Sequence, residues 1–385
     1  MAGRCLPDRD SILLPAASLL TGLGLLTIWR LDETFGLRQT IWYGLCIGIL
    51  ALTLWQKSKL DILRRYKYVL LTGGFILTGL TLIFGTNPMG FGPRLWLGCC
   101  GIYFQPSEPL KLLLVIYLSA YFADRHPSAL KNWPLLLPSM LVTGIALAMM
   151  FVQRDLGTAS IFAIILAGML FLATGSLRVL LGSLTLFGLV LFSGYLSVDI
   201  IRARVNGWIN PWQDPAGGSY QIIQSLLAVA NGGIFGRGPG LGNPALVPVA
   251  ISDFIFTAIA EETGLVGIVG LLLLMWVILS RGISASLNAP DRFRRFLSAG
   301  ITLYLGIQSV LIIGGNLRLI PLTGVTLPFL SYGGSSLLTS ITALGFLLVI
   351  SSGEDREPAP LFNPRPYYYL LSLLATFLVG ISITA

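Results

Sequence analysis

Long apolar runs recur along most of this chain, and no other feature restricts its fold as strongly. A helix that crosses a bilayer needs about 20 mostly apolar residues, and ten segments of the sequence reach or approach that length. Hydrophobic residues make up 55% of the 385 residues and charged residues only 11%, against about 25% charged residues in a soluble domain. The ten segments are 12–29, 40–55, 68–84, 108–122, 135–152, 159–175, 179–198, 264–280, 296–313 and 337–350.

This composition excludes a soluble enzyme, a disordered chain and a disulfide-rich scaffold. The mean hydropathy is +0.81, and a soluble protein of this size could not hide so much apolar surface. We therefore predict an all-α polytopic membrane protein with about ten transmembrane helices.

The formal net charge of +8 is compatible by itself with a nucleic-acid partner. The basic residues, however, cluster in short segments between the apolar runs, as the positive-inside rule predicts, so we expect no nucleic-acid partner. If the N-terminus is cytoplasmic, the inside segments carry about twice as many Lys and Arg as the outside ones. This asymmetry predicts that residues 1–350 form the membrane domain, with long external loops at 85–107, 199–263 and 314–336.

The sequence gives no sign of a zinc site or of an organic cofactor. The four cysteines and the one histidine do not have the spacing of zinc ligands. The glycine-rich segment 236–242 follows no predicted strand and lacks the spacing of a dinucleotide fingerprint. We predict a flexible turn there, and no organic cofactor.

Glu108 and Lys111 lie at the start of the fourth apolar segment, where ionisable residues are costly and often functional. Their i,i+3 spacing places them on one helix face, where they can pair, and Ser107 is the predicted N-cap. Two interpretations remain: a structural ion pair, or a pair that lines a polar cavity and presents Lys111 to an anionic ligand.

Gln153 and Asp155 lie in the tight external turn between the fifth and sixth segments. Asp155 is predicted either to cap the sixth helix or to help to hold a divalent cation. The sequence of the turn alone does not decide between these roles.

Asp253 is a lone carboxylate among Phe and Ile residues at the outer end of a predicted span. Apolar surroundings raise the pKa of a carboxyl group and make it a better base near neutral pH; the alternative is an ordinary aspartate in the first turn of a helix. Glu261 and Glu262 follow on the same predicted helix. At 100° per residue, at most one of them shares a face with Asp253, and the other is expected to pair or to face water.

Four arginines on the predicted external segments run against the positive-inside rule. Arginine binds diphosphate oxygens in a bidentate manner, so a role in diphosphate binding is one interpretation, and contact with lipid headgroups is the other. They are Arg94, Arg202, Arg204 and Arg318.

Taken together, these segments resemble the SEDS (shape, elongation, division and sporulation) family. The motifs follow the family order over roughly residues 40–350. Residues 251 and 252, before the key aspartate, are Ile and Ser, whereas the family has His and Thr. The matching pieces are 104–108 with Lys111, Gln153 with 155–158, 220–221, 253–256 with Glu261, Glu262 and Gly264, and Asn316 with 321–324 and 327–336.

The resemblance implies a ten-span, N-in peptidoglycan glycosyltransferase that polymerises lipid II, an undecaprenyl-diphosphate precursor, on the outer face of the bacterial cytoplasmic membrane. The family's essential aspartate falls on Asp253, its Glu/Lys pair on Glu108 and Lys111, and its acidic turn on Asp155. A divalent cation (Mg²⁺ or Mn²⁺) near Asp155 is expected. The motifs also suggest supporting or binding roles, for Gln153, Glu261, Ser331 and Ser335 together with the external arginines.

The resemblance further implies a class B penicillin-binding protein as partner. Residues 351–366 are predicted to form a cytoplasmic Pro-rich linker, and 367–385 an additional transmembrane helix. This helix is either the anchor of a penicillin-binding domain in a natural fusion or an ordinary extra helix. Alternative functions are a lipid II flippase or transporter, another polyprenyl-linked glycan polymerase or ligase, and a non-catalytic scaffold for a penicillin-binding protein.

Overall fold

The computed structural model describes residues 10–56, 60–88, 90, 93–99, 101–125 and 133–352, without the side chains of residues 133 and 245. Thirteen α-helices, three short 3-10 helices and one short hairpin are found in this part of the chain. The helices are α1 (Leu13–Leu31), α2 (Glu33–Trp55), α3 (Leu60–Arg65), α4 (Lys67–Phe84), α5 (Ser107–Ala123), α6 (Leu137–Val152), α7 (Leu156–Thr174), α8 (Leu177–Ser197), α9 (Asp199–Ile209), α10 (Tyr220–Gly232), α11 (Ile255–Leu287), α12 (Arg292–Asn316) and α13 (Gly334–Ser351).

Each of the ten predicted apolar segments coincides with one of these helices. Eight described helices are long and apolar enough to cross a membrane, and α6 is a shorter apolar helix. Helix α5 has 17 residues and carries the charged residues Glu108 and Lys111. The predicted all-α polytopic membrane fold is confirmed, whereas nearly all of the predicted linker and the whole additional helix at 367–385 lie outside the described residues.

The predicted external segment 199–263 contains α9, α10 and the first turns of α11, and of these helices α9 and α10 were not predicted. The predicted capping role of Ser107 was wrong. Ser107 is the first residue of α5 rather than its N-cap, a position occupied by Pro106. Proline suits the start of a helix because its fixed φ matches helical geometry there and it has no N–H to leave unpaired.

The helices divide into a central group, which is buried in the bundle, and a peripheral group. Helices α5, α7, α12 and α13 are largely buried, whereas α8 has no buried residue and α2 and α4 have few. Glycine permits close packing inside: a Cβ on Gly168 would overlap Leu303, and one on Gly300 would press on Val115. Small residues at contacts are typical of helix packing in membranes.

The connecting segments separate into two groups at opposite ends of the bundle. At one end the predicted external segments contact each other: the backbone N–H of Gln105 donates to Ser335 Oγ at 2.8 Å. At the other end the predicted internal segments meet, for example through the ion pair of Arg64 with Asp124 at 2.7 Å. The first group, which we call the outer end, also contains an antiparallel hairpin of β1 (Leu97–Cys99) and β2 (Ile102–Phe104).

Helix α11 is interrupted at Gly264, where φ is 65° and ψ is −164°. The backbone that leads from α10 into the glycine-rich turn fills the gap: the N–H groups of Leu265 and Val266 donate to the carbonyls of Gly233 and Ile234. A Cβ at position 264 would overlap the backbone nitrogen of Gly236. The break therefore joins the end of α10 to α11 and fixes the outer turns of α11.

Candidate functional site

Asp253 lies in a turn directly before α11, not on the helix. Its N–H donates to the carbonyl of Val249 at 3.2 Å, and its Oδ1 accepts a hydrogen bond from Ser252 Oγ at 3.0 Å. The prediction that Asp253 shares a helix with Glu261 and Glu262 was therefore wrong, because α11 begins at Ile255.

The segment 317–333, which joins α12 to α13 and is called here the 317–333 loop, holds this turn in place. Ser331 Oγ donates to the carbonyl of Ser252 at 2.6 Å and accepts from the N–H of Leu327 at 2.8 Å. The N–H of Tyr332 donates to the carbonyl of Ile251 at 2.9 Å. The motif that contains Ser331 thus positions the backbone of the turn that carries Asp253.

Burial raises the pKa of Asp253 to about 6. The hydrogen bond from Ser252 and the charge of Arg204 oppose this shift, and the negative charge of Asp155 adds to it. A carboxyl group with this pKa is ionised at neutral pH and accepts a proton more readily than an ordinary aspartate.

Arg204 of α9 faces Asp253 across Gly324. Its Nη1 lies 3.3 Å from the carbonyl oxygen of Thr323. A Cβ on Gly324 would be 3.7 Å from Asp253 Oδ2 and 4.0 Å from Arg204 Nη2. Burial lowers the pKa of Arg204, while Asp155 and Asp253 act against this; arginine remains charged in proteins.

Asp155 caps α7, because its Oδ1 accepts a hydrogen bond from the N–H of Thr158 at 3.0 Å. Its Oδ2 is buried and has no hydrogen-bond partner among the described residues. Burial raises the pKa of Asp155; the positive charge of Lys111 lowers it and the negative charge of Glu108 raises it. The capping role is therefore present, and one carboxylate oxygen remains for a further partner.

Glu108 and Lys111 form a buried ion pair with 2.7 Å between Oε1 and Nζ. The side chain of Lys111 has no exposed surface, and its Nζ also donates to Gln308 Oε1 at 2.9 Å. The predicted i,i+3 pairing is observed, and Lys111 faces other protein side chains rather than solvent.

These residues form a series of alternating charges, which we call the charge chain. Each member interacts electrostatically with the next, from inside α5 to the turn before α11. The series brings a proton acceptor and a guanidinium together at the outer end. In order, its members are Glu108, Lys111, Asp155, Arg204 and Asp253.

The remaining predicted arginines have other surroundings. Arg202 contacts Asp199 at 3.5 Å and is about half exposed. Arg318 donates to the carbonyls of Trp208 and Ile209, each at 2.8 Å, and so caps the end of α9. The side chain of Arg94 is exposed.

The other predicted supporting residues make local contacts. Gln153 Nε2 donates to the carbonyl of Thr78 at 2.8 Å, which ties the turn before α7 to α4. Glu261 accepts from the N–H of Asn243 at 3.2 Å, and Glu262 pairs with Arg30. Glu262 also accepts from the N–H of Gly240 at 3.4 Å, so the two glutamates hold the glycine-rich turn and its end, and Glu262 pairs as expected.

Sequence reasoning missed Gln308. It is fully buried in α12 and links Lys111 to Thr326 of the 317–333 loop. The available signal was an amide side chain in an otherwise apolar span, since such side chains often bond between helices in membranes.

No group of three or more His, Cys, Asp or Glu side chains in the described part of the chain is placed to hold a metal ion. Asp155 Oδ2 is nevertheless the type of oxygen that Mg²⁺ binds, and Asp253 lies within electrostatic range of it. A cation held here would need most of its ligands from water or from a bound substrate.

The fold and the site define a polytopic membrane protein with a series of alternating charges that runs from buried residues of α5 to the half-buried Arg204 and Asp253 at the outer end. Residues 13–356 match the sequence profile of the cell cycle protein family FtsW/RodA/SpoVE. The chain therefore belongs to this family, and the resemblance inferred from the motifs is confirmed.

Individual relatives are similar over nearly the whole chain. The peptidoglycan glycosyltransferase RodA of Mycobacterium tuberculosis is 35% identical over 375 residues, which cover 92% of this chain and 80% of that protein. Stage V sporulation protein E of Bacillus subtilis is 34% identical over 359 residues, covering 89% and 96%.

Solved structures share the fold. A chain from a study of the structural coordination of polymerization and crosslinking by a peptidoglycan synthase complex has a TM-score of 0.78 at 28% identity, covering 90% of this chain and 99% of that one. The rod shape determining protein RodA of Thermus thermophilus has a TM-score of 0.67 at 26% identity, covering 91% and 98%.

Proposed function

We propose that this chain is a peptidoglycan glycosyltransferase that polymerises lipid II at the outer face of the bacterial cytoplasmic membrane. The observation that carries the proposal is Asp253: a carboxyl group with a raised pKa that is fixed by the 317–333 loop and faces Arg204. The relatives named as peptidoglycan glycosyltransferases support the same reaction class.

In this mechanism the Asp253 carboxylate accepts the proton of the acceptor sugar's 4-hydroxyl group. The oxygen attacks the anomeric carbon of the donor, and a new glycosidic bond forms while the bond from that carbon to the diphosphate oxygen breaks. The lipid diphosphate leaves with the electron pair. Arg204 donates hydrogen bonds to the diphosphate oxygens, where negative charge develops. General base catalysis of this type contributes about 10²–10⁴-fold.

A divalent cation remains part of the proposal. Mg²⁺ commonly binds through one or two carboxylates and completes its shell with water and phosphate oxygens, and Asp155 Oδ2 fits such a ligand. A bound Mg²⁺ or Mn²⁺ would offset the charge of a diphosphate. If this is correct, Asp155→Asn raises the cation concentration needed for half-maximal activity, whereas an unchanged cation dependence contradicts the assignment.

The activity is tested with purified protein and lipid II in detergent. We expect Asp253→Asn to lower the rate of glycan polymerisation by about 10²–10⁴-fold. Asp199→Asn is the matched control, because Asp199 is an aspartate of the same outer segment whose side chain is almost fully exposed. Full polymerisation by a well-folded Asp253→Asn protein would remove the assignment. Transport of lipid II across vesicles without polymer would favour a flippase.

We also propose a class B penicillin-binding protein as partner. The related chain from a peptidoglycan synthase complex supports this, since that study couples polymerization to crosslinking. Purification of this chain from its native membrane would identify a crosslinking partner, either as a second subunit or as a domain fused after residue 385. Polymerisation at the same rate with and without that partner would argue that the partner does not control activity.

A further inference from the structure

Gln308 makes three hydrogen bonds through a single buried amide. Its Oε1 accepts from Lys111 Nζ at 2.9 Å, and its Nε2 donates to the carbonyl of Thr326 at 2.8 Å and to Thr326 Oγ1 at 3.3 Å. An ammonium group only donates and a carbonyl group only accepts, so an amide satisfies both at once. Gln308 therefore joins α5 to the 317–333 loop through the middle of the bundle.

The same loop holds both groups at the outer end of the charge chain. The carbonyls of Leu322 and Thr323 lie within hydrogen-bond reach of Arg204 Nη1, at 3.5 and 3.3 Å. Ser331, five residues beyond Thr326, holds the turn of Asp253 through the carbonyl of Ser252. Thr326 is itself anchored to α13, because its hydroxyl lies 2.7 Å from Ser336 Oγ.

We propose that Gln308 is a positioning residue that couples the buried Lys111 to the 317–333 loop and thereby sets the position of Arg204 relative to Asp253. Its effect on the rate rests on the proposed function. Its effect on the loop does not, so the two can be measured separately.

Two variants distinguish the contact of the Gln308 amide with Lys111 from its contact with Thr326. Gln308→Leu removes both contacts, while Lys111 keeps Glu108 as a partner. Gln308→Glu keeps an acceptor for Lys111 but replaces the donor to the Thr326 carbonyl with a second acceptor. Ser309→Ala is the matched control, because Ser309 is the next residue and is equally buried, and among the described residues its hydroxyl bonds to the carbonyl of Leu305 in its own helix.

The first measurement is hydrogen exchange of the purified protein. We expect amides of the 317–333 loop to exchange about fivefold faster in both Gln308 variants, since this factor corresponds to the loss of about one hydrogen bond. Exchange in Ser309→Ala should match that of the unsubstituted protein. Unchanged loop exchange in both Gln308 variants, or an equal increase in the control, would overturn the proposal.

The second measurement is the pH dependence of lipid II polymerisation. The charged groups that face Asp253 are Arg204 from α9 and Asp155 from the turn before α7. If the loop no longer holds Arg204 near Asp253, the pH midpoint of the rate rises, and kcat falls about tenfold with a smaller change in KM. A midpoint that stays fixed would contradict the coupling. If the unsubstituted protein makes no glycan, the proposed function fails, and the exchange data alone still decide whether Gln308 holds the loop.

Discussion

Asp199 and Asp253 lie in the same outer segment of the chain and differ in their surroundings. Asp199 is almost fully exposed and contacts Arg202 only loosely. Asp253 is shielded by its turn and by the 317–333 loop, so its carboxylate loses hydration and its pKa rises. At the scale of single residues, burial and neighbouring charges decide how readily each aspartate accepts a proton, because the two side chains themselves are identical.

The raised pKa of Asp253 predicts the pH dependence of the enzyme. Below about pH 6 the carboxyl group is protonated and cannot accept a proton. We expect kcat/KM for polymerisation, measured at low lipid II concentration, to rise with pH through a midpoint near 6, because kcat/KM reports the pKa of the free enzyme. A rate that is constant between pH 5 and pH 8 would contradict the role of Asp253 as the base.

The same shift has a consequence for stability with a defined sign. The folded-state pKa of about 6 lies above the ordinary aspartate value of 3.8, so folding disfavours the ionised form, and the resulting cost grows as pH rises from about 4 to about 6. We expect Asp253→Asn to lose less thermal stability between pH 4 and pH 7 than the unsubstituted protein. An identical loss in both proteins would show that Asp253 ionises as easily in the folded state as in the unfolded state.

The buried pair of Glu108 and Lys111 predicts an asymmetric response to substitution. Removing Glu108 alone takes away the ion-pair partner of a buried ammonium group, which keeps the neutral Gln308 as hydrogen-bond partner and Asp155 at longer range; this should cost about 3–5 kcal/mol. We expect Glu108→Ala to lower the thermal midpoint strongly, and the double substitution Glu108→Gln with Lys111→Met to recover most of the loss while polymerisation stays low. Equal destabilisation by the single and double substitutions would argue against the uncompensated charge as the cause.

At the scale of elements, the broken helix α11 and the two segments around it hold the site together. The backbone that leads from α10 into the glycine-rich turn fills the break at Gly264, and Glu261 and Glu262 fix the turn to the helix. The 317–333 loop meets the turn before α11 on the other side. Non-helical backbone at the edge of a membrane span is tolerated where protein groups satisfy it, and here the interruption positions the chain that leads to Asp253.

The break in α11 predicts that alanine destabilises the protein more at Gly264 than at another glycine of the same helix. Alanine at Gly264 would adopt a positive φ and overlap Gly236, and backbone strain alone costs about 1–3 kcal/mol. We expect Gly264→Ala to lower the thermal midpoint in detergent. Gly270→Ala is the control, because a Cβ there meets no atom within 4 Å. Similar midpoints for both variants would show that the break tolerates a side chain.

At the scale of the whole molecule, the two ends of the bundle carry different arrangements of ionisable groups. The end formed by the predicted internal segments carries exposed or half-buried pairs such as Arg64 with Asp124, whereas the outer end carries the turn of Asp253. The two members of the charge chain that reach the surface, Arg204 and Asp253, lie at this outer end.

The orientation of the molecule is tested with its own cysteines. Cys99 lies exposed in β1 at the outer end, and Cys5 precedes the first span on the predicted cytoplasmic side. In intact cells, a membrane-impermeant maleimide should label a single-cysteine variant that keeps Cys99 and spare one that keeps Cys5. The reverse pattern would invert the topology and place Asp253 on the cytoplasmic side.

Much of the fold could be predicted from the sequence, because each span is a local property of about 20 apolar residues. The i,i+3 pair and the capping role of Asp155 were predictable for the same reason. Helices α9 and α10 were not predicted, since they are short and less apolar than the spans, and their helical structure depends on packing against other elements. Gln308 was missed because its partners are 197 residues away in α5 and 18 residues away in the 317–333 loop.

The sequence by itself determined that most of this protein lies in lipid, where its apolar helices begin and end, and which family it belongs to, because hydropathy and motif order are local properties of the chain. Only the tertiary structure decided which charged residues meet. Arg204 comes within range of Asp253 while Arg202, two residues away, remains at the surface, because opposite sides of α9 face the protein and the solvent. The protonation of Asp253 likewise depends on packing, since desolvation comes from segments distant in sequence.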